Sequence, residues 1–174
     1  EVALRAAFKC IMGGKQVAVL VPTTILAWQH YTTILSRMEA FPVKAGLLSR
    51  FASARQQKET IKGLAAGTVD VVVGTRSAVL APLDNIGLII MDEEQEPTYC
   101  SENPPRYHTR DVAQFRCAQS GALLLLGSAT PTVETMYYAR EGRYQVFPLY
   151  RRYNEKALPE VFIADLRDEL RAGN

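Results

Sequence analysis

Acidic side chains directly follow an apolar segment near the middle of the chain. Residues 88–91 read Leu-Ile-Ile-Met, and Asp92, Glu93, Glu94 and Gln95 come next. A buried strand that ends in an acidic pair is the arrangement that a magnesium–nucleotide site needs. Asp92 would hold Mg²⁺ through its hydration shell, and Glu93 would orient or deprotonate the attacking water. A solvated acidic loop is the alternative interpretation of this motif taken alone.

Two hydroxyl side chains follow a second apolar segment, at residues 122–126. Ser128 and Thr130 stand in the short sequence Gly-Ser-Ala-Thr-Pro that begins at Gly127. Small hydroxyls in such a turn can hydrogen-bond neighbouring acidic side chains or backbone groups, so both are candidate catalytic residues. The alternative is that Thr130 caps a helix that begins at Pro131.

Aromatic and basic side chains crowd the segment after the acidic residues. Tyr99, Arg106, Tyr107 and Arg110 lie there. Aromatic rings stack on exposed bases and arginine pairs with phosphate, so this mixture suits single-stranded DNA. The alternative is that Tyr107 anchors the following helix while the arginines are solvated.

Strands and helices that alternate along the chain would position these residues. Strands are predicted at 16–21, 43–48, 70–73, 86–91 and 122–126, with two further candidates at 145–148 and 161–164. Helices are predicted at 1–12, 22–39, 53–66, 107–120 and 132–141. This alternation indicates an α/β fold with a mostly parallel sheet, in which ligands bind at the carboxyl ends of the strands. Within the helix predicted at 22–39, His30 is interpreted as a surface residue and Trp28 as a core or partner contact.

Composition excludes several classes of protein. The 174 residues are 48% apolar and 22% charged, which fits one globular domain rather than a disordered chain or a coiled coil. The apolar runs are far shorter than the ~20 residues that cross a bilayer, and no signal peptide is visible. Three cysteines without CxxC spacing favour a reducing compartment over disulfides or zinc. The net charge of +2 is too balanced to indicate nucleic acid by itself. We therefore expect a cytoplasmic protein with no membrane partner.

Four segments, taken in order, resemble motifs of the first motor domain of superfamily 2 helicases and translocases. They are 22–24 (motif Ia), 74–77 (the motif Ib region), 92–95 (motif II, the Walker B box) and 128–130 (motif III). The resemblance implies a RecA-like P-loop NTPase fold, with helices on both faces of the sheet, and ATP and Mg²⁺ as cofactors. It also implies that Thr23, Thr75 and Arg76 lie on loops that follow the DNA backbone.

Two families within that superfamily share the resemblance. Residues 1–8, 14–27 and 48–51 are similar to the Mfd-type transcription-repair coupling translocases and to RecG. From about residue 70 the chain resembles the PriA-type replication-restart helicases, most specifically in Pro-Pro-Arg-Tyr-His-Thr-Arg-Asp at 104–111. That segment favours the PriA type, whereas Gln95 stands where that family usually has histidine.

The PriA-type resemblance implies an ATP-dependent DNA helicase of the bacterial cytoplasm, associated with the nucleoid. Its partners would be single-stranded and forked DNA, a second RecA-like domain, and primosome or repair proteins. An Mfd-like translocase acting on double-stranded DNA is one alternative. A DNA-binding adaptor that does not hydrolyse ATP is another.

In these families the phosphate-binding loop, Walker A, comes immediately before the helix that corresponds to the first residues of this sequence. Gly13-Gly14-Lys15 cannot replace it, because that tripeptide ends a helix, whereas a phosphate cradle opens one. We therefore expect residues 1–150 to be a first motor domain without its Walker A strand and loop. Residues 151–174 would begin the connection to a second motor domain, and the chain alone would not hydrolyse ATP.

Overall fold

A computed structural model describes residues 1–150, 161, 162 and 167 of the chain. Residues 1–136 form one compact unit, and residues 137–150 belong to a second. The helices are α1 (Val2–Met12), α2 (Thr24–Met38), α3 (Ala54–Ala65), α4 (Thr109–Ser120) and α5 (Val133–Arg140). The strands are β1 (Gln16–Leu20), β2 (Ala45–Leu48), β3 (Val71–Gly74), β4 (Ile86–Met91) and β5 (Leu123–Leu126). Two short 3₁₀ helices span Arg76–Leu80 and Pro97–Tyr99.

The five strands form one parallel sheet in the order β2-β3-β1-β4-β5. Leu20 at the end of β1 pairs with Gly74 of β3 and with Met91 of β4. Met91 in turn pairs with Leu126 at the end of β5. The loops that leave the carboxyl ends of these four strands therefore start side by side, as the sequence predicts for a parallel α/β sheet.

The central strand β1 is buried on both faces, which explains its uninterrupted apolar sequence. On one face, Val17 and Val19 pack in a cluster with side chains of α1 and α2. On the other face, Ala18 and Leu20 pack in a cluster with α3, α4 and the first 3₁₀ helix. The predicted arrangement of helices on both faces is therefore confirmed.

Side-chain caps fix where the helices begin. The Thr23 hydroxyl accepts a hydrogen bond from the amide of Leu26 (3.2 Å), as expected for the N-cap of α2. At α5, the amide of Thr135 donates to the hydroxyl of Thr132 (3.2 Å). The helix therefore begins after Thr132, and the alternative in which Thr130 caps a helix beginning at Pro131 is wrong.

Other differences from the predicted elements are small. The helix predicted from residue 107 begins at Thr109, because Nδ1 of His108 accepts the amide of Arg110 (3.1 Å) and ends the extended segment before it. Residues 145–148 are not a strand. The other candidate strand, 161–164, lies mostly outside the described residues. None of the helices in the described ranges is long and apolar enough to cross a membrane.

Candidate functional site

The acidic pair lies where β4 ends. The amide of Asp92 donates to the carbonyl of Leu20 (2.9 Å), so Asp92 is still held against β1. At Glu93 the backbone adopts φ 51°, a left-handed conformation that is uncommon for residues with a side chain. The chain therefore turns away from the sheet between the two carboxylates. Adjacent residues can in this way serve different roles at one sheet edge.

The carboxylate of Asp92 has a partner from another element. Its Oδ2 lies 3.0 Å from Nε2 of His30, on α2. This hydrogen bond is the main cause that holds the pKa of Asp92 below its ordinary value, against the opposing effect of partial burial. The other oxygen, Oδ1, lies beside Gly127, where a Cβ atom would come within 3.2 Å of it. Glycine at 127 therefore leaves room on that side of the carboxylate.

Gln95 connects Glu93 to the predicted hydroxyl turn. Its Nε2 donates to Oε2 of Glu93 (2.7 Å), and its Oε1 accepts the hydroxyl proton of Ser128. The Ser128 hydroxyl also accepts the amide of Thr130 (2.9 Å), whose own side chain is exposed. Ser128 thus reaches the acidic motif through one intervening amide, and Thr130 takes part through its backbone. A rotation of the Gln95 side chain would therefore change its hydrogen bonds to both Glu93 and Ser128.

Glu94 is buried rather than solvated. Its Oε1 accepts the amide of Thr132 (2.9 Å), and its Oε2 accepts the hydroxyl of Thr135 (3.1 Å). Nη1 of Arg110 lies 3.5 Å from Oε2 and donates to the Thr135 hydroxyl (2.9 Å). The guanidinium predicted to contact DNA is therefore directed inward, with only 14% of the Arg110 side chain exposed. The DNA contact expected of Arg110 stays a prediction, and in this structure its guanidinium is the charged partner of the buried Glu94 carboxylate.

Tyr99 also differs from its predicted placement. The side chain is fully buried, and its hydroxyl lies 2.9 Å from the carbonyl oxygen of Leu20 and 2.6 Å from that of Asp92. Burial, together with the nearby carboxylates, raises the pKa of its phenol, so the group stays a hydrogen-bond donor. Tyr99 therefore offers no ring face on which a base could stack. Its hydroxyl instead links the backbone of Asp92 to that of Leu20 on β1.

The other candidate DNA contacts lie on loops that leave the carboxyl ends of β1, β3 and β4. Thr23 is exposed, and Thr75 and Arg76 are half-buried. Nη1 of Arg76 donates to the carbonyls of Thr98 (3.3 Å) and Cys100 (3.2 Å). It thereby links the β3 loop to the segment 92–108, which we call the β4–α4 loop.

Within the β4–α4 loop, Arg106 and Tyr107 have different surroundings. The Arg106 side chain is exposed, and its Nε donates to the carbonyl of Glu102 (3.2 Å). Tyr107 is half-buried and packs against the core cluster that contains Leu20 and Tyr99. Arg106 is therefore available to a phosphate, whereas Tyr107 combines an anchoring role with partial exposure.

His30 is the residue at this site that sequence reasoning missed. The sequence analysis places it on the helix surface, yet it follows the fully buried Ala27 by three residues and precedes the fully buried Ile34 by four. That spacing places His30 on the face of α2 that packs on the sheet. Because α2 follows β1, which pairs with β4, the same face also approaches the end of β4. The helical period together with the sheet order was the signal that could have found it.

The described residues contain no group of three or more His, Cys, Asp or Glu side chains that could hold a metal ion. A hydrated magnesium ion needs less, because it keeps several waters and is held by one or two carboxylates plus nucleotide phosphates. Asp92, with Oδ1 beside Gly127, and the neighbouring Glu93 fit that requirement.

Comparison with known proteins agrees with this arrangement. Residues 1–137 match the DEAD/DEAH box helicase family. The chain is similar to the replication restart protein PriA of Bacillus subtilis (strain 168), with 37% identity over 174 residues, 100% of this chain and 21% of PriA. It is also similar to the transcription-repair-coupling factor of Staphylococcus haemolyticus (strain JCSC1435), with 44% identity over 144 residues, 82% of this chain and 12% of that protein.

Among solved structures, the chain is similar to RecG bound to a three-way DNA junction. The TM-score is 0.60 and the sequence identity 28%, covering 87% of this chain and 20% of RecG. The parallel sheet is therefore that of a RecA-like helicase domain. The chain belongs to the DEAD/DEAH box helicase family. It spans about a fifth of the length of the PriA relative.

Proposed function

We propose that this chain is the first motor domain of an ATP-dependent DNA helicase of PriA type, which couples ATP hydrolysis to DNA unwinding in replication restart. The observation that carries the proposal is the contact between Arg110 and Glu94. Arg110 belongs to the segment 104–111, which carries the PriA-type resemblance, and Glu94 belongs to the acidic motif. The most specific segment of the sequence is thus joined to the hydrolysis motif. The similarity to PriA over the whole chain supports the same assignment.

In the proposed mechanism, each residue has a role that its surroundings allow. Asp92 would hold Mg²⁺ through water, and Mg²⁺ would supply charge neutralisation at the phosphates of ATP. Glu93 would accept or orient the proton of the attacking water, and Ser128 would adjust Glu93 through Gln95. These three residues lie on loops at one edge of the sheet.

For DNA, the proposal assigns the exposed groups on the neighbouring loops. Thr23, Thr75 and Arg76 would contact the sugar–phosphate backbone, which fixes position without reading sequence. Arg106 and Tyr107 would contact single-stranded DNA by charge and by stacking. Residues 1–150 would form this motor domain, and residues 151–174 would begin the connection to a second one. A Walker A loop elsewhere in the longer protein would supply the phosphate cradle, so the 174-residue chain alone should release no phosphate from ATP.

A translocase of Mfd or RecG type is the second candidate. The 44% identity to a transcription-repair-coupling factor over 144 residues of this chain supports it. The two candidates differ in what happens to the DNA strands. A PriA-type helicase separates them at a fork, whereas an Mfd-type translocase moves along the duplex without separating them.

The deciding experiment measures strand separation and ATPase with the full-length protein on a forked substrate and on a blunt duplex. We expect ATPase stimulated by the fork, with release of a labelled strand that is lost in Glu93→Gln. Stimulation by the blunt duplex without strand release would contradict the PriA assignment and favour the translocase. DNA binding without hydrolysis would contradict both and indicate an adaptor.

A further inference from the structure

His30 lies outside the four motifs, yet its imidazole contacts the first carboxylate of the acidic pair. Nε2 of His30 and Oδ2 of Asp92 are 3.0 Å apart, within hydrogen-bond distance. Both side chains are partly exposed, at 30% and 38%. The contact therefore lies at the surface of the site and not in the core. At that position it can affect how a ligand binds.

The histidine is presented by a rigid element. Ala27 and Ile34, on either side of it along α2, are fully buried against the sheet. The first turn of α2 is capped by Thr23. The position of the imidazole is thus set by a helix that has an N-cap and a buried face, and not by a loop.

The backbone of Asp92 is fixed independently of His30. Its amide donates to the carbonyl of Leu20 (2.9 Å), and its carbonyl accepts the hydroxyl of Tyr99 (2.6 Å). The remaining freedom is rotation of the carboxylate about its side-chain bonds. The hydrogen bond from His30 removes that freedom by holding Oδ2 and leaving Oδ1 beside Gly127.

We propose that His30 is a positioning residue for Asp92, which it holds with Oδ2 engaged so that Oδ1 stays available to hydrated magnesium. This inference rests on the proposed function, in which Asp92 serves the Mg²⁺ of Mg-ATP. Partners that hydrogen-bond a metal-binding carboxylate typically change metal affinity ~10–100-fold when they are removed. The effect should therefore appear in the Mg²⁺ requirement rather than in the maximal rate.

The test compares four variants of the full-length protein by ATPase titrated with Mg²⁺ at saturating ATP. His30→Ala and His30→Phe remove the donor, and the second keeps a ring of similar size in case the first weakens folding. His30→Gln keeps an N–H donor at a similar reach, and Gln29→Ala is the matched control on the exposed face of α2. We expect the Mg²⁺ concentration for half-maximal rate to rise ~10-fold or more in His30→Ala and His30→Phe. It should stay near the wild-type value in His30→Gln and Gln29→Ala.

A second readout does not depend on turnover. Binding of a fluorescent ADP analogue, titrated with Mg²⁺, should show the same shift in the variants that lack the donor. An unchanged Mg²⁺ midpoint in both His30→Ala and His30→Phe would overturn the inference, whatever their melting temperatures. Asp92→Asn separates this failure from failure of the proposed function. If Asp92→Asn keeps wild-type ATPase and Mg²⁺ dependence, the assignment of Asp92 itself is wrong.

Discussion

Arg110 and Glu94 form an ion pair, 3.5 Å between Nη1 and Oε2, in which only 1% of the Glu94 side chain is exposed. Glu94 comes from the acidic motif after β4, and Arg110 from the first turn of α4. Thr132 and Thr135, at the start of α5, complete the set of hydrogen bonds. Three segments that are distant along the chain therefore meet at one buried carboxylate. The β4–α4 loop is therefore held to the first turns of α4 and α5 at Glu94.

Removing one partner of this pair should destabilise the domain strongly. Arg110→Ala leaves the Glu94 carboxylate buried without its cation, and breaking a buried pair in this way costs ~3–5 kcal/mol. Urea unfolding followed by circular dichroism measures the change in the free energy of unfolding. Arg106→Ala is the matched control, because Arg106 is exposed and its removal should change stability by less than ~0.5 kcal/mol. Equal stability of the two variants, with DNA binding weakened only in Arg110→Ala, would return Arg110 to the DNA-contact role that the sequence suggested.

Loss of either carboxylate of the acidic pair should abolish hydrolysis without releasing DNA. In the full-length protein, Glu93→Gln should lower the ATPase rate at least ~10²-fold, the usual contribution of a positioned general base. Asp92→Asn should abolish ATPase for a different reason, because it removes the carboxylate that would hold hydrated Mg²⁺ at the phosphates. Phosphate release and DNA affinity are measured side by side. Glu96→Gln, three residues further along the same loop, controls for the loss of one negative charge. Wild-type turnover in Asp92→Asn and Glu93→Gln would show that hydrolysis uses other residues.

The sequence predicted the sheet well because its signals are local. Runs such as Val71–Val73 contain only β-branched apolar residues, and a short uninterrupted apolar run is typical of a parallel strand buried on both faces. The position of Asp92 and Glu93 at the carboxyl edge of the sheet follows directly from their place after β4, because all strands of a parallel sheet run in the same direction.

The side-chain partners at the site could not be predicted in the same way. Whether a polar side chain faces DNA or a buried carboxylate depends on contacts that form only in the folded domain. Residue type and proximity predict DNA contacts for Arg110 and Tyr99, whereas the structure shows Arg110 beside Glu94 and the Tyr99 hydroxyl beside the carbonyls of Leu20 and Asp92. His30 on α2 reaches Asp92 at the end of β4, and the helical period of α2 indicates that contact only when it is combined with the order of the strands in the sheet.

Thiol labelling should distinguish the three cysteines and report on the β4–α4 loop. Cys100 is exposed in that loop, whereas burial raises the pKa of the Cys117 thiol and, to the same effect, that of Cys10. A raised pKa means less thiolate at pH 8, so both react more slowly with iodoacetamide. Mass spectrometry of a labelling time course should show Cys100 modified first. Single-stranded DNA should slow only the labelling of Cys100, and labelling of Cys117 ahead of Cys100 would contradict this burial pattern.

The stimulation of ATPase by DNA should depend on Arg106, whereas the stability of the domain should not. Arg106 and Tyr107 lie in the same β4–α4 loop as the acidic pair, so a phosphate on Arg106 or a base on Tyr107 can shift Glu93. A stacking contact is worth ~1–3 kcal/mol per base, which is enough to bias a small loop equilibrium. In the full-length protein, Arg106→Ala should lower DNA-stimulated ATPase several-fold more than basal ATPase, without changing the melting temperature.

Tyr107 needs a comparison of its own because it also packs on the core. Tyr107→Ala removes both ring and packing, whereas Tyr107→Phe keeps them and removes only the hydroxyl. If the ring stacks on a base, Tyr107→Phe keeps DNA stimulation and Tyr107→Ala loses it by a larger factor than it loses basal activity. If the ring serves only as an anchor, Tyr107→Ala lowers the melting temperature and reduces both rates in equal proportion. That second outcome would remove Tyr107 from the coupling mechanism and leave Arg106 as the DNA contact of the loop.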